Sequence, residues 1–191
     1  MSSRGLKDEE KTLWSVEIAR DSLAVIINPK NPIVSLTMAQ VRDIYAGVIT
    51  NWSQVGGKDK AIHVITREEG SGTRSAFESL LMNKVEIDPH SIVQDSNGTV
   101  RQLVGDDQYA IGYISLGLVN DKVKALELDG VVASRENVIN GTYILSRPYL
   151  FVTNTEPVGE VKKFIDYVLS KEGKALLDME GLITFDNGGA Q

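Results

Sequence analysis

The sequence predicts an α/β fold in which strands and helices alternate in mainly parallel sheets. Continuously apolar runs such as Ser22 to Ile27 indicate strands that are covered on both faces. Other segments, such as the one that Pro157 opens, carry apolar residues at helical spacing. Small polar loops separate the two kinds of segment. In folds of this kind, ligands bind beyond the carboxyl ends of the strands.

The first part of the chain contains two strands, a stiff connection and a helix. Leu13 to Ile18 and Ser22 to Ile27 have the composition of strands. The Pro-x-x-Pro segment from Asn28 to Pro32 is stiff and extended, which suits a connection between two lobes. Thr37 and Gln40 form a capping box, which predicts that a helix begins at this point.

The later segments continue the alternation. The expected strands are Ala61 to Ile65, Tyr109 to Tyr113, Val123 to Leu128 and Tyr149 to Val152. A long helix follows Pro157, and a second helical piece covers Ala175 to Met179. We expect the apolar stripe of the long helix to lie in the core; it consists of Val158, Val161, Phe164, Ile165, Val168 and Leu169.

The segment from Thr66 to Ser75 is the best candidate for a binding site. It joins an apolar strand to a helix through a small-residue loop. Gly70 and Gly72 allow a tight turn whose N–H groups converge, and the first helical turn adds unpaired N–H groups and a positive dipole end. Arg67 supplies a planar fork that matches an oxyanion. The segment therefore predicts an anion site.

Other interpretations of this loop remain open. It matches neither a Walker A loop nor a Gly-x-Gly-x-x-Gly dinucleotide turn. A plain helix N-cap with two surface arginines would give the same pattern. Arg74 falls inside the first helical turn, where a cation opposes the dipole, so we expect it at the solvent or an interface. Glu69, two residues after Arg67, is expected to hold the Arg67 guanidinium in place.

The composition excludes several classes of protein. A net charge of -6 over 191 residues argues against nucleic-acid binding, which depends on clustered Lys and Arg. The chain has no cysteine, and His63 and His90 are too far apart for a His-x-x-x-His pair. We therefore expect no metal site and no cofactor.

Several strings, taken in chain order, resemble the phosphate-binding proteins of bacterial ABC phosphate importers, which are PBP-like solute-binding components. These strings are Met1 to Arg4 with Leu6-Lys7, Ile18 to Asp21, Ala24 to Pro29, Leu36 to Trp52, Arg67 to Arg74, and Ile111 to Tyr113. Asp43 to Trp52 is the most distinctive of them. The resemblance runs from one end of the chain to the other.

This resemblance implies a type II periplasmic-binding-protein fold, in which two α/β lobes close on the anion about a hinge. Residues 1–30 and 148–191 would form lobe one, which is discontinuous, and residues 31–147 would form lobe two with the anion loop. The two crossing segments would be Asn28 to Pro32 and Ser146 to Pro148.

The resemblance also implies a set of site residues. Arg67, Ser71, Gly72 and Thr73 match phosphate ligands from the second lobe, and Ser3 lies in a segment that borders the site in the first lobe. Glu69 resembles the acidic partner that orients the arginine. Binding in this family needs no chemistry, so the chain is not expected to be an enzyme.

In the family, the signal sequence, the first strand, the first anion loop and the following helix precede the position of Met1. The same upstream segment carries an aspartate that accepts a proton from phosphate and so rejects sulfate. We therefore expect lobe one to be incomplete, and we expect the chain to form a homo-oligomer through it. Glu68 is a candidate to take the place of the upstream aspartate.

The expected function is to bind inorganic phosphate outside the cytoplasm and deliver it to an ABC permease, with a lipid anchor as an option for the full-length form. The alternatives are a binding or sensory module for another oxyanion or a phosphorylated metabolite, and a truncated form that binds phosphate weakly or not at all. An enzyme with Ser71 as nucleophile is disfavoured, because Gly-Ser-Gly lacks a Gly-x-Ser-x-Gly elbow and no base is placed by the sequence.

Overall fold

One long strand, β1 (Trp14–Ile27), organises the fold. In the computed structural model, which describes Ser2 and residues 5–185, β1 changes partner along its length. Its first part pairs with β8 (Ser146–Thr153) and its last part with β5 (Ala110–Ser115), both antiparallel. The two strands predicted for this region are therefore one. The residues between the two predicted strands include Arg20 and Asp21, which lie within β1 and pair with Glu17 and Arg147.

The main sheet has six strands and a mixed topology. β3 (His63–Arg67) lies between β5 and β4 (Ile92–Gln94) and is parallel to both. β1 follows β5, with β6 (Lys124–Ala125) at its other side. The expectation of mainly parallel sheets is wrong for the part built on β1, since β1 arrives from its ladder with β8 and not through a helical crossover.

A second, two-stranded sheet lies apart from the main one. β2 (Ser35–Leu36) and β7 (Glu127–Leu128) pair in parallel. The single strand predicted from Val123 to Leu128 is consequently divided between β6 and β7. Leu126, between them, donates its backbone N–H to the carbonyl of Val25 and is fully buried.

Helices follow most of the strands. They are α1 (Met38–Tyr45), α2 (Gly72–Phe77), α3 (Asn97–Asp106), α4 (Arg135–Ile139), α5 (Gly159–Leu169) and α6 (Lys171–Met179). The predicted capping box of α1 is confirmed: the Thr37 hydroxyl accepts from the Gln40 N–H at 3.1 Å, and the Gln40 side chain accepts from the Thr37 N–H at 2.8 Å. Among the described residues, no helix combines the length and the apolar character needed to cross a membrane.

The apolar stripe of α5 is not core, which corrects the prediction. Of its six residues only Ile165 is buried, whereas Val158 is 78% and Phe164 is 57% exposed. Phe164 contacts the sheet through Phe151, with ring centroids 5.7 Å apart. Periodicity identified the apolar face of α5 correctly, but it carries no information on whether another element covers that face.

The division into lobes at residues 30 and 148 stays a prediction. The sheet places the change of partner inside β1, where Ser22 lies opposite Ser146 and Leu23 opposite Ser115. The segment from Asn28 to Pro32 packs against the end of α3, because the Asn28 amide donates to the carbonyls of Val104 and Gly105.

Three buried aromatic rings connect α1, α2 and β5 beneath the predicted anion loop. Phe77 stacks on Tyr113 at 4.0 Å between centroids, and Tyr45 lies 4.6 Å from Phe77. Such pairs stabilise a core beyond the area that they bury. Phe77, the last residue of α2, therefore holds this short helix against β5 of the sheet.

Gly112→Ala should destabilise the fold by about 1–3 kcal/mol, because a Cβ there would overpack the contact between β5 and α3. The added atom would lie 2.7 Å from Val100 and 2.9 Å from Val104. Urea denaturation measures the effect. Gly98→Ala in α3 is the control, since its nearest neighbour would be 3.6 Å away; equal stabilities for the two variants would contradict this packing.

Candidate anion-binding site

Arg67 is the last residue of β3, and its side chain is buried against a carboxylate. The residue is only 8% exposed. Its Nε donates to one oxygen of Glu68 at 2.8 Å and its Nη2 to the other at 2.9 Å. A bidentate pair of this kind fixes the plane of the guanidinium and compensates a charge that burial would otherwise disfavour.

The partner of Arg67 is thus Glu68 and not Glu69, which corrects the predicted assignment. The Ser71 N–H donates to the Glu68 carbonyl at 3.3 Å, so Glu69 and Gly70 occupy the middle of a turn. Gly70 has φ of +86°, a conformation that favours glycine at the third position of such a turn. Glu69 lies at the exposed corner, whereas Glu68 stays at the end of the strand beside Arg67.

A second loop contributes the remaining contacts of the guanidinium. Nη2 of Arg67 donates to the Asp95 carbonyl at 3.2 Å, and Nη1 donates to the Asn97 side-chain oxygen at 3.3 Å. β3 and β4 are parallel, so the loops that follow them meet at one edge of the sheet. These four hydrogen bonds use four of the five guanidinium N–H groups. The fifth, on Nη1, takes part in none of these four bonds.

The backbone of Arg67 is also held in place. Its N–H donates to the Tyr113 hydroxyl at 3.3 Å, and that hydroxyl lies 2.8 Å from the Thr66 hydroxyl. Burial raises the pKa of Tyr113, so the phenol stays protonated. The Arg67 carbonyl accepts from Nη1 of Arg74 at 3.0 Å. Arg74 also forms an ion pair with Glu78 at 2.8 Å. It therefore connects the loop to α2 through hydrogen bonds, whereas the sequence predicted a residue at the solvent or an interface.

The loop itself ends in a helix N-terminus. Ser71 is buried and caps α2, its hydroxyl accepting from the Arg74 N–H at 3.3 Å. Ser71 therefore acts as the helix N-cap, which was one of the interpretations that the sequence left open for this loop. The N–H groups of Gly72 and Thr73 belong to the first turn, which has no intrahelical acceptors. They lie at the partly exposed start of the helix, the kind of position at which backbone N–H groups bind anions in proteins.

The structure brings four of the predicted site residues, Arg67, Ser71, Gly72 and Thr73, into one loop. Ser3, the fifth, lies outside the described residues. Glu68, Asp95 and Asn97 were not predicted as contacts of Arg67. The small polar string from Asp95 to Thr99 was the available signal, since it indicated a second helix N-terminus near the ligand.

A cavity of about 760 Å³ opens beside the helical turn that follows α2, and Arg67, Ser71, Gly72 and Thr73 are not among its lining residues. The segment near the N-terminus, the helical turn after α2, and the start of β8 line it. The lining residues include Ser2, Glu10, Ser79, Leu80, Arg147 and Pro148. The volume lies within the range of sites for small organic ligands.

The sequence profile of the PBP superfamily domain matches residues 1–172. This match agrees with the observed mixed sheet, in which loops at the carboxyl ends of parallel strands form the candidate site. The chain thus carries the domain of a superfamily of binding proteins.

Individual relatives are more specific. The phosphate-binding protein PstS of Bacillus subtilis (strain 168) is 32% identical over 92% of this chain, which spans 59% of that protein. An ABC-type phosphate transport receptor from Vibrio cholerae has a TM-score of 0.86 and 38% identity, covering 96% of this chain and 78% of that one. A Clostridium perfringens protein, named as a phosphate ABC transporter substrate-binding protein and solved with bound phosphate, has a TM-score of 0.78 and 45% identity over 97% of this chain and 78% of its own. The chain therefore belongs to the family of phosphate-binding proteins.

Arg67→Gln should raise the pKa of Glu68 toward its ordinary value, because hydrogen bonds from Arg67 hold that pKa down. The carboxyl carbon of Glu68, followed by NMR against pH, reports the shift. A folded-state pKa below the unfolded one stabilises the protein above the unfolded pKa, and this stabilisation is lost as pH falls through the folded pKa.

The unfolding free energy of Arg67→Gln should consequently fall less steeply in acid than that of the wild type. Arg42→Gln, in which the lost contact is to Asp43 at 4.0 Å, is the control and should leave the Glu68 titration in place. An ordinary pKa for Glu68 in the wild type would contradict the observed pair.

Proposed function

We propose that this chain binds inorganic phosphate as the solute-binding component of an ABC phosphate import system. The observation that carries the proposal is the buried guanidinium of Arg67, which ends the strand before the Gly70 to Thr73 loop. The chain is also 45% identical to a protein solved with bound phosphate. The chain spans just over half of the Bacillus subtilis relative, so the activity of a whole importer component is part of the proposal.

The site suits a dehydrated oxyanion. The N–H groups of Gly72 and Thr73 and the hydroxyls of Ser71 and Thr73 are hydrogen-bond donors, and the remaining N–H of Arg67 adds a charge-assisted one. Donors held by a folded loop need no reorganisation when the anion arrives. Nothing in this arrangement requires a bond to be made or broken, and a role without catalysis stays our prediction.

Glu68 gives the site a means to select phosphate. The hydrogen bonds from Arg67 lower the pKa of Glu68, which keeps its side chain ionised at neutral pH. An ionised carboxylate only accepts hydrogen bonds. Phosphate at neutral pH still carries a proton that it can donate to a carboxylate, whereas sulfate does not, so only phosphate can offset the repulsion between the anion and the carboxylate with a hydrogen bond. We infer that Glu68 takes this role.

A phosphorylated metabolite is the second candidate ligand. The cavity of about 760 Å³ favours it, because Arg147, which lines that cavity, also contacts the Gly72 carbonyl, and because the volume exceeds what an inorganic anion fills. Competition between inorganic phosphate and small phosphate monoesters separates the two candidates. Tighter binding of a monoester would move the proposal from an importer component to a metabolite-binding module.

The wider setting is part of the same proposal. We expect an extracytoplasmic location and an ABC permease as partner, on the strength of the named relatives. The two-lobe organisation and the homo-oligomer also remain predictions. Light scattering on the purified chain tests the oligomer, and a monomer at all concentrations would contradict it.

Arg67→Ala should weaken phosphate binding about 10- to 100-fold, since a hydrogen bond to a charged group contributes about 1.5–3 kcal/mol. Isothermal titration with phosphate and then with sulfate measures the change. Arg42→Ala, at a half-exposed position on α1, is the control and should bind like the wild type. Equal affinities of the wild type and Arg67→Ala would contradict the site.

Glu68→Gln should narrow the preference for phosphate over sulfate, because an amide can donate a hydrogen bond to sulfate. Glu69→Gln removes the same charge one residue away, at the exposed corner of the turn, and should keep the preference. The ratio of the two dissociation constants is the readout. If both variants discriminate equally well, Glu68 is not the selective group.

A further inference from the structure

A second guanidinium, that of Arg147, lies against the first residue of α2. Arg147 is part of β8, 75 positions along the chain from Gly72. Its Nη2 donates to the Gly72 carbonyl at 3.1 Å. A Cβ built on Gly72 would lie 3.7 Å from the same nitrogen. The guanidinium is therefore next to the residue whose N–H we assign to the anion.

Asp21 fixes the orientation of Arg147. Nε and Nη2 of Arg147 donate to one oxygen of Asp21, at 3.1 and 3.0 Å. The Ser115 hydroxyl lies 3.5 Å from the other oxygen of Asp21 and 3.2 Å from the Gly181 carbonyl. The side chains of Arg147 and Asp21 are only 15% and 11% exposed. A pair this well covered holds the guanidinium in one place, because the long arginine side chain loses its freedom.

The hydrogen bonds of Arg147 do not use the N–H groups of Nη1, which could therefore bind a ligand. Its three hydrogen bonds use the Nε–H and the two N–H groups of Nη2. Within the part of the chain that the structure describes, the two N–H groups of Nη1 donate no hydrogen bond. Arg147 also lines the cavity of about 760 Å³. An arginine with spare donors at the wall of a cavity is suited to bind an oxyanion.

We propose that Arg147 is the second guanidinium of the anion site. It holds the start of α2 through the Gly72 carbonyl, and its Nη1 donates to the anion that the amides of Gly72 and Thr73 bind. The inference rests on the proposed phosphate binding and adds a ligand from β8 to those of the loop. It also connects the anion to the position in β1 where the strand changes partner, because Asp21 lies there.

Three variants and a matched control test this assignment by phosphate titration of the full chain. Arg147→Gln removes the charge, Asp21→Asn removes its neutralising partner, and the double variant removes both, so that no carboxylate is left buried without a partner. The control is Arg20→Gln. Arg20 neighbours Asp21 in β1, pairs with Glu17 at 2.8 Å, and is 28% exposed.

Arg147→Gln and the double variant should each weaken phosphate binding by about tenfold or more. Asp21→Asn should weaken phosphate binding less than Arg147→Gln does, because Arg147 keeps its charge and the asparagine oxygen can still accept a hydrogen bond from it. Arg20→Gln should match the wild type. A merely structural pair would behave otherwise, since breaking it from either side would weaken binding equally.

Two results overturn the assignment alone: Arg147→Gln binding phosphate as tightly as the wild type, or Asp21→Asn weakening binding as much as Arg147→Gln. A folded wild-type chain that binds no phosphate overturns the proposed function and this inference with it. Binding that depends on Arg67 but not on Arg147 leaves the proposed function in place.

Discussion

The buried positive charge of Arg67 is the constraint on which the rest of the site depends. Taking a guanidinium out of water costs free energy unless charges and hydrogen bonds compensate it. Here Glu68 supplies the charge, and Asp95 and Asn97 supply the further acceptors. These partners come from the loops after β3 and β4, so the parallel pairing of these strands is a requirement of the site.

The loop turns directly after this ion pair. The Ser71 N–H donates to the Glu68 carbonyl, and Gly70 adopts a left-handed conformation. The turn then brings Ser71 to the cap of α2 and leaves the first amides of the helix at the opening. An anion bound there meets the positive end of the helix and an arginine together.

The sequence predicted the parts of the structure that local patterns determine. The α1 capping box and the strand, loop and helix around Arg67 were predicted because short-range spacing and turn chemistry decide them. Local sequence patterns predicted less where contacts with distant segments of the chain determine the structure. Two strands were predicted where β1 is continuous, and the ion pair of Asp21 with Arg147, far along the chain, is a contact that local spacing does not contain. The α5 stripe and the choice between Glu68 and Glu69 depended likewise on contacts that spacing does not contain.

An NMR titration of the ¹⁵N-labelled chain with phosphate tests the central claim most directly, since it reports on each N–H separately. The account predicts saturable shifts that are largest for the amides of Gly72 and Thr73 and for the side-chain N–H of Arg67. The amide of Gly98, at the start of α3, should move less. Saturable shifts centred on another surface, or no shifts at all, would contradict the claim that this loop and its buried arginine form the phosphate site.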